Sequence, residues 1–158
     1  LDVYARLTGA DPATLDEDAT RRLGLHYPLG IARPGGEDVR AANGADVEAR
    51  AIMCGDVPQG TLVWLMEGDE ESVLAGTTHA CDEALQMLDG LPPRGVIAFD
   101  CVARRTILGD EGIRREAGLI AGRFPGVPVG GFYTYGEIAR TRGSRGIHNA
   151  TLVVLAFA

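Results

Sequence analysis

The sequence contains no lysine, so all fifteen of its basic residues are arginine. Schiff-base chemistry, attachment of pyridoxal phosphate and a lysine-dependent phosphate loop all need the missing amine. The three cysteines are odd in number and show no Cys-x-x-Cys spacing, whereas disulfide frameworks and structural zinc sites need paired or closely spaced thiols. These absences exclude several enzyme classes and favour reduced thiols in a cytoplasm.

Charge and hydropathy exclude further kinds of partner. The 22 acidic residues outnumber the 15 basic ones and give a net charge of −7, which disfavours binding to nucleic acid or to an anionic membrane surface. No apolar run approaches the roughly 20 residues that span a bilayer. The histidines show no metal-ligand spacing. We therefore expect a cytoplasmic domain that binds no nucleic acid, membrane, metal or cofactor.

The spacing of apolar residues predicts four helices, near 1–7, 12–23, 70–88 and 111–123. The second helix is expected to take Asp11 as its N-cap, the third Asp69, and the fourth is expected to begin at Asp110. Between the second and third helices, three short strands are predicted near 26–33, 37–42 and 47–54. Their separators, residues 34–36 and Asn43-Gly44, are typical of tight turns and predict an antiparallel meander.

Three other segments are apolar on both faces, at 62–66, 96–99 and 151–157. Such runs are typical of central strands that are covered on both sides. With 158 residues, of which 46% are hydrophobic, the chain is long enough for one domain with one core. We therefore predict a single α+β domain over residues 1–158, with a single mixed, largely antiparallel β-sheet packed with two to four helices.

Aromatic residues are scarce, but three of the nine lie together between glycines at 130–136. The three are Phe132, Tyr133 and Tyr135. A backbone without Cβ atoms can bend or let a ligand approach closely, so this segment is a candidate pocket wall. A tyrosine combines an apolar ring with a polar tip, so ordinary core packing and ligand contact both remain open.

The glycine-aromatic segment at 127–137, the upstream block 99–104 and the downstream block 148–156 resemble the C-terminal half of the FIST family, sensory input domains of bacterial signalling proteins. The resemblance is tight over 95–158 and diffuse before it. Family members usually carry an N-terminal FIST half, and Leu1 is not a methionine, so we expect an excised C-terminal domain. The resemblance implies an amino acid or a derivative as ligand, and the N-terminal half or a signalling output domain as partner.

Charged residues near these blocks complete the expected site. Glu137 could receive a ligand ammonium group, or it could pair with Arg140 or Arg142 at a hairpin turn. Arg104 and Arg105 follow a predicted strand and could clamp a carboxylate, or they could be capping or surface charges. The expected ligand-binding set is Cys101, Arg104, Arg105, Phe132, Tyr133, Tyr135, Glu137, His148 and Asn149. We also expect Tyr133, Tyr135 and Glu137 to share one face of a continuous strand.

Two alternatives to a sensory module remain open. Cys101 with His148 as its base could make a cysteine-dependent enzyme, although a free cysteine at the end of an apolar strand usually packs in the core. We expect Cys101 to be a packing residue and the chain not to be an enzyme. The other alternative is an interaction or oligomerisation domain without a ligand of its own, with a homodimer as one form.

Overall fold

The computed structural model describes residues 1–33, 36–141 and 144–158, which form two compact units. The first unit comprises 1–68 and 140–148, and the second comprises 69–139 and 149–158. The helices are α1 (Asp2–Thr8), α2 (Glu17–His26), α3 (Glu70–Met87) and α4 (Val102–Arg123). The strands are β1 (Leu29–Arg33), β2 (Gly36–Arg40), β3 (Ala42–Asp46), β4 (Ala51–Cys54), β5 (Val63–Leu65), β6 (Gly95–Cys101), β7 (Val129–Thr134), β8 (Glu137–Thr141), β9 (Ser144–His148) and β10 (Leu152–Phe157).

The chain is α+β, as predicted, but the expectation of a single sheet is wrong. Within the described ranges the strands form four small sheets, ordered β2-β1-β5, β10-β6-β7, β3-β4 and β8-β9. Of the three runs expected to be central, only β6 has a strand on each side, whereas β5 and β10 are edge strands. The outer face of β10 leaves Leu155 and Phe157 half exposed. An apolar run does not by itself distinguish a central strand from an edge strand with an uncovered face.

In the first unit one predicted turn and one predicted helix cap are at the wrong positions. Asn43 and Gly44 lie inside β3, at an irregularity in its pairing with β4, and the reversal occurs at residues 47–50. The α2 helix is capped by Asp16, which accepts a hydrogen bond from the Ala19 amide, rather than by Asp11. The Pro34-Gly35 part of the other expected turn lies outside the described residues.

The second unit contains the parallel pair β6–β7, the antiparallel pair β6–β10 and the helices α3 and α4. Its core includes Val96 and Ala98 of β6, Cys81 and Ala84 of α3, and Ile120 of α4. The α3 helix begins where it was predicted, because Asp69 and Ser72 form a reciprocal capping box.

The fourth helix is longer than predicted. It begins at Val102, directly after β6, and is interrupted at Gly109, whose φ of 61° and ψ of −174° are not helical. The segment expected from Asp110 is therefore the portion of α4 after this break. Because α4 follows β6 without a loop, the last residues of the strand and the first turn of the helix are adjacent.

None of the helices in the described ranges is long and apolar enough to cross a membrane.

Candidate ligand-binding site

The end of β6 presents different chemistry on its two faces. Side chains alternate along a strand, so Val96, Ala98 and Asp100 face the helices, while Phe99 and Cys101 face the other side. Asp100 is thus the last residue of an apolar, helix-facing row, and it is only 7% exposed. A carboxyl buried at this position needs polar partners.

Arg104, one turn into α4, supplies those partners for two carboxyls. Its Nε donates to Asp100 Oδ1 at 2.8 Å, and its Nη2 donates to Glu116 Oε1 at 2.5 Å and to Thr77 Oγ1 at 2.7 Å. The Thr77 hydroxyl lies 2.7 Å from Glu116 Oε1, to which it can donate. Arg104 is 4% exposed, and Glu116 is equally buried. The network joins β6, α3 and both portions of α4.

The charges in this network do not balance when both carboxyls are ionised. Asp100 and Glu116 share one guanidinium, and no second cation contacts them in the described part of the chain. The pKa of Asp100 is raised to about 7, mainly by burial, with Arg104 opposing the rise and the neighbouring Glu116 adding to it. A proton on one of the two carboxyls allows a hydrogen bond between them, and such a bond contributes to the raised pKa of Asp100.

A pocket of about 480 Å³ lies against these carboxyls. Its walls are mainly apolar, and α4 provides Ile113, Ala117 and Ile120 on one side. On the other side β7 passes Gly130 and Gly131, and a Cβ at Gly131 would lie 2.4 Å from the Ala98 carbonyl oxygen. The lining consists of Ala98, Asp100, Ile113, Glu116, Ala117, Ile120, Ala121, Val129, Gly130, Gly131, Phe132, Tyr133 and Leu152.

Tyr133 places a phenol beside Asp100, with which it is paired across the parallel strands β6 and β7. The Arg105 guanidinium lies 5.2 Å from the centre of the Tyr133 ring, which is cation–π distance. Burial raises the pKa of Tyr133, and Arg105 opposes the rise. Arg105 itself remains substantially exposed. The pocket lining therefore includes two carboxyls, and the partly exposed Arg105 guanidinium lies outside the lining, against the ring of Tyr133.

A second polar cluster lies beyond the other face of β6. Glu137 is only 2% exposed, and its carboxylate accepts hydrogen bonds from the Thr134 and Thr151 hydroxyls, the latter at 2.9 Å. Cys101 is buried, and desolvation raises its pKa, with Glu137 adding to the rise. A raised pKa disfavours the thiolate that a nucleophile needs. The burial of Cys101 agrees with the expected packing role.

The expected common face of Tyr133, Tyr135 and Glu137 is wrong. Strand β7 ends at Thr134 and β8 begins at Glu137, so the alternation is interrupted at residues 135–136. Tyr133 lines the pocket, Tyr135 is 91% exposed, and Glu137 is buried among threonines.

Other predicted residues lie in different environments. Arg104 is neither a surface charge nor a cap, because it is buried in the carboxyl network. Phe132 contributes to the pocket lining, but its ring packs edge-on against Phe99, with ring centres 5.3 Å apart. The His148 side chain lies outside the described residues, as do those of Arg140 and Arg142, and Asn149 is half-buried.

The prediction missed Thr77, Asp100 and Glu116 as site residues. Glu116 carried a readable signal, since it lies between Ile113 and Ile120 on the apolar stripe of α4, where a charged residue needs an explanation. Asp100 carried a similar signal as the acidic residue that ends an apolar strand. Nothing in the sequence indicated that Thr77, on another helix, would meet them.

Comparison with known proteins identifies the domain type. Residues 1–140 match the family model described as FIST C domain. The match includes the first half of the chain, where the resemblance is diffuse, and it ends before the 148–156 block. Two uncharacterized proteins of Mycobacterium tuberculosis, from strains CDC 1551 / Oshkosh and ATCC 25618 / H37Rv, are each 29% identical over 140 residues. The alignment covers 86% of this chain and 36% of each relative, so the chain spans about a third of their length. No solved structure matches.

Proposed function

Because the chain belongs to the FIST C family, we propose that it is a small-molecule-binding sensory domain of a signal-transduction protein. The ligand lies in the pocket between β6, β7 and α4. The observation that carries the proposal is the composition of this pocket, which combines apolar walls with buried carboxyls at one end. An apolar cavity of this size with a few convergent polar groups is typical of small-molecule sites.

The proposed ligand is an amino acid or a derivative. Its ammonium group meets Asp100 and Glu116, and its carboxylate meets Arg105 near Tyr133. This proposal therefore assigns both expected roles to residues other than those that the sequence suggested. Glu137 was expected to take the ammonium group but is bonded to threonines, and Arg104 was expected to take the carboxylate but is already bonded to two carboxyls.

The proposed partners follow from the length of the relatives, because the chain spans only about a third of them. An N-terminal FIST half or a signalling output domain in the same protein would convert ligand binding into a signal. We place this protein in the cytoplasm, where three unpaired thiols are stable.

A metabolite screen by thermal shift tests the proposal, followed by heteronuclear NMR titration of each hit. Chemical-shift changes should concentrate at the pocket residues of β6, β7 and α4. If a hit instead perturbs only residues 1–68, the pocket assignment is wrong. If no amino acid or derivative in a broad screen binds, the sensory proposal loses its ligand.

The second candidate is an oligomerisation domain, which one observation favours. Phe132, Leu155 and Phe157 are exposed on the sheet face that points away from α3 and α4, and Phe132 is 60% exposed. Exposed apolar patches often mark interfaces. The proposed occupant is a second copy of the chain. Sedimentation equilibrium decides, because a monomer at micromolar concentration removes this candidate.

A further inference from the structure

We propose that the Asp100–Glu116 pair selects a protonated amine with an apolar body, and that binding of this amine releases to solvent a proton held by the empty pair. The inference rests on the proposed function, since it specifies the ligand class and the pH response of the same pocket.

The geometry supplies a cation-binding position that Arg104 leaves open. Arg104 donates to Asp100 Oδ1 and to Glu116 Oε1, so each carboxyl keeps a second oxygen. Neither Asp100 Oδ2 nor Glu116 Oε2 accepts a hydrogen bond from an N–H or hydroxyl donor in the described ranges. Asp100 and Glu116 are 7% and 3% exposed as whole residues, and both line the pocket. The only donor that competes with an entering ammonium group for these two oxygens, among the described residues, is the proton that the pair itself holds.

The balance of charge explains why an entering ammonium group displaces the proton of the carboxyl pair. Two ionised carboxyls beside one guanidinium leave one net negative charge in a poorly hydrated site, which is costly. In the empty pocket a proton on the pair removes that charge. When an ammonium group enters, it compensates the same charge, so the shared proton becomes unnecessary and leaves as hydronium. No bond other than the O–H bond of the carboxyl breaks.

None of the other described groups around the pair supplies the positive charge that the ligand ammonium group would bring. Helix α4 contributes Arg104, which is already bonded to both carboxyls, and Arg105, which lies over Tyr133. Helix α3 contributes the neutral Thr77, and β10 contributes Leu152. The burial that raises the pKa of Asp100 places its titration in the range where a cation can compete with the proton.

The remaining walls define the rest of the ligand. Ile113, Ala117 and Ile120 favour an apolar body, and the Arg105 guanidinium disfavours a second positive charge near Tyr133. The ligand class is therefore a monoamine whose body is aliphatic or aromatic.

Isothermal titration calorimetry with 2-phenylethylamine and its neutral counterpart 2-phenylethanol tests the inference. Titrations at pH 6, 7 and 8.5 in phosphate and in HEPES, which differ in ionisation enthalpy, give the number of protons released. We expect the amine to bind at least about tenfold more tightly than the alcohol, a difference of about 1.4 kcal/mol. Proton release should approach one at pH 6 and fall towards zero at pH 8.5, with affinity rising over the same interval.

Two variants distinguish a specific effect of the Asp100–Glu116 pair from the general effect of removing a negative charge. Glu116→Gln can keep the oxygen that Arg104 and Thr77 contact, but it removes the excess charge, so proton release should disappear and the amine should lose its advantage over the alcohol. Glu111→Gln is the matched control on the exposed side of α4, and it should behave like the unmodified protein. If Glu116→Gln does not fold, the two-buffer titration of the unmodified protein still decides.

Three outcomes overturn different claims. Equal affinity for amine and alcohol, without proton release, overturns the cation inference and leaves the pocket in place. Tight amine binding without proton release at pH 6 overturns the exchange. Pocket binding confined to ligands that carry no amine overturns the ligand class and retains the sensory proposal, whereas absence of any pocket ligand removes the sensory proposal itself.

Discussion

Each of the two units contains a buried arginine, and the two arginines have different kinds of partner. In the first unit Arg40 donates to the Asp38 carboxylate at 3.3 Å and to three backbone carbonyls, those of Val39, Asp56 and Ile147, at 3.0–3.2 Å. In the second unit Arg104 donates to two carboxyls, one hydroxyl and one backbone carbonyl. Both guanidiniums are almost fully buried.

The difference separates a structural arginine from one that belongs to a site. Backbone carbonyls cannot change their protonation state, so most of the hydrogen bonds that Arg40 makes are the same at any pH. The carboxyls around Arg104 can take up protons, and both line a cavity. Burial of an arginine therefore says little about function. The identity of its acceptors and the presence of an adjacent cavity say more.

The largest expected effect comes from replacing Arg104 with methionine. Arg104→Met leaves two buried carboxyls without a cation, which should cost about 3–5 kcal/mol in the free energy of unfolding near pH 8. The cost should shrink towards pH 5, because the raised pKa of Asp100 means that this carboxyl then takes up a proton. Urea denaturation followed by circular dichroism at several pH values measures both quantities.

Arg40→Met is the matched control for this comparison. It also removes a buried guanidinium, but most of the acceptors that lose a hydrogen bond are backbone carbonyls. Its cost should therefore change less with pH than that of Arg104→Met. Parallel pH profiles for the two variants would contradict the distinction between the arginines.

The next effect is the pH dependence of stability in the unmodified protein. Burial raises the pKa of Asp100 in the folded state from 3.8 to about 7. A raised pKa means that the contribution of this group is fully present below the unfolded pKa and is lost as pH rises through the folded pKa. One such group changes the free energy of unfolding by at most about 1.4 kcal/mol per pH unit.

Asp100→Asn should remove this slope, because an amide stays neutral. The difference in free energy of unfolding between the variant and the unmodified protein should grow in favour of the variant from pH 4 to pH 7. Asp110→Asn, at an exposed residue of α4, should leave the slope unchanged. A constant difference for Asp100→Asn across this range would show that Asp100 is ionised throughout.

The sequence predicted local features of the fold better than its sheet assembly. Helix α3 follows from its apolar spacing and from Asp69 and Ser72, which are close in sequence and form the cap. The pairing of strands depends on contacts between distant residues, and no local pattern reports those contacts. Apolar runs at 62–66 and 151–157 therefore indicated strands correctly but placed them wrongly at the centre of one sheet.

The candidate site was also hard to predict, because it depends on contacts between residues that are distant in the sequence. Two residues of the expected set do lie together, namely Tyr133 of the block 127–137 and Arg105, which directly follows the block 99–104. The environments of Arg104 and Glu137 depended on neighbours distant in the sequence, Glu116 for Arg104 and Thr151 for Glu137. A two-residue break between β7 and β8 was enough to separate Tyr133 from Glu137.

Filling the pocket should have a smaller effect than these charge changes. Ala117 is an exposed residue of α4 that lines the pocket, so Ala117→Leu should be tolerated by the fold and should occupy ligand volume. We expect about tenfold weaker binding of a pocket ligand, or about 1.4 kcal/mol, by calorimetry. Ala75→Leu, at an exposed alanine of α3 outside the pocket lining, is the control. Equal affinities would place the ligand elsewhere.

The smallest effect on binding is expected at Glu137, the carboxyl that the sequence favoured. Glu137 is buried and its described hydrogen bonds come from the hydroxyls of Thr134 and Thr151, beyond the face of β6 opposite to the pocket. Glu137→Gln keeps the shape of the side chain and a carbonyl acceptor for one hydroxyl, so it should cost about 0.5–1.5 kcal/mol of stability, the usual value of one hydrogen bond. Affinity for a pocket amine should stay unchanged, whereas Glu116→Gln should weaken it. If Glu137→Gln weakened binding as much as Glu116→Gln, the ligand would contact both faces of β6, and the distinction between the two carboxyl clusters would fail.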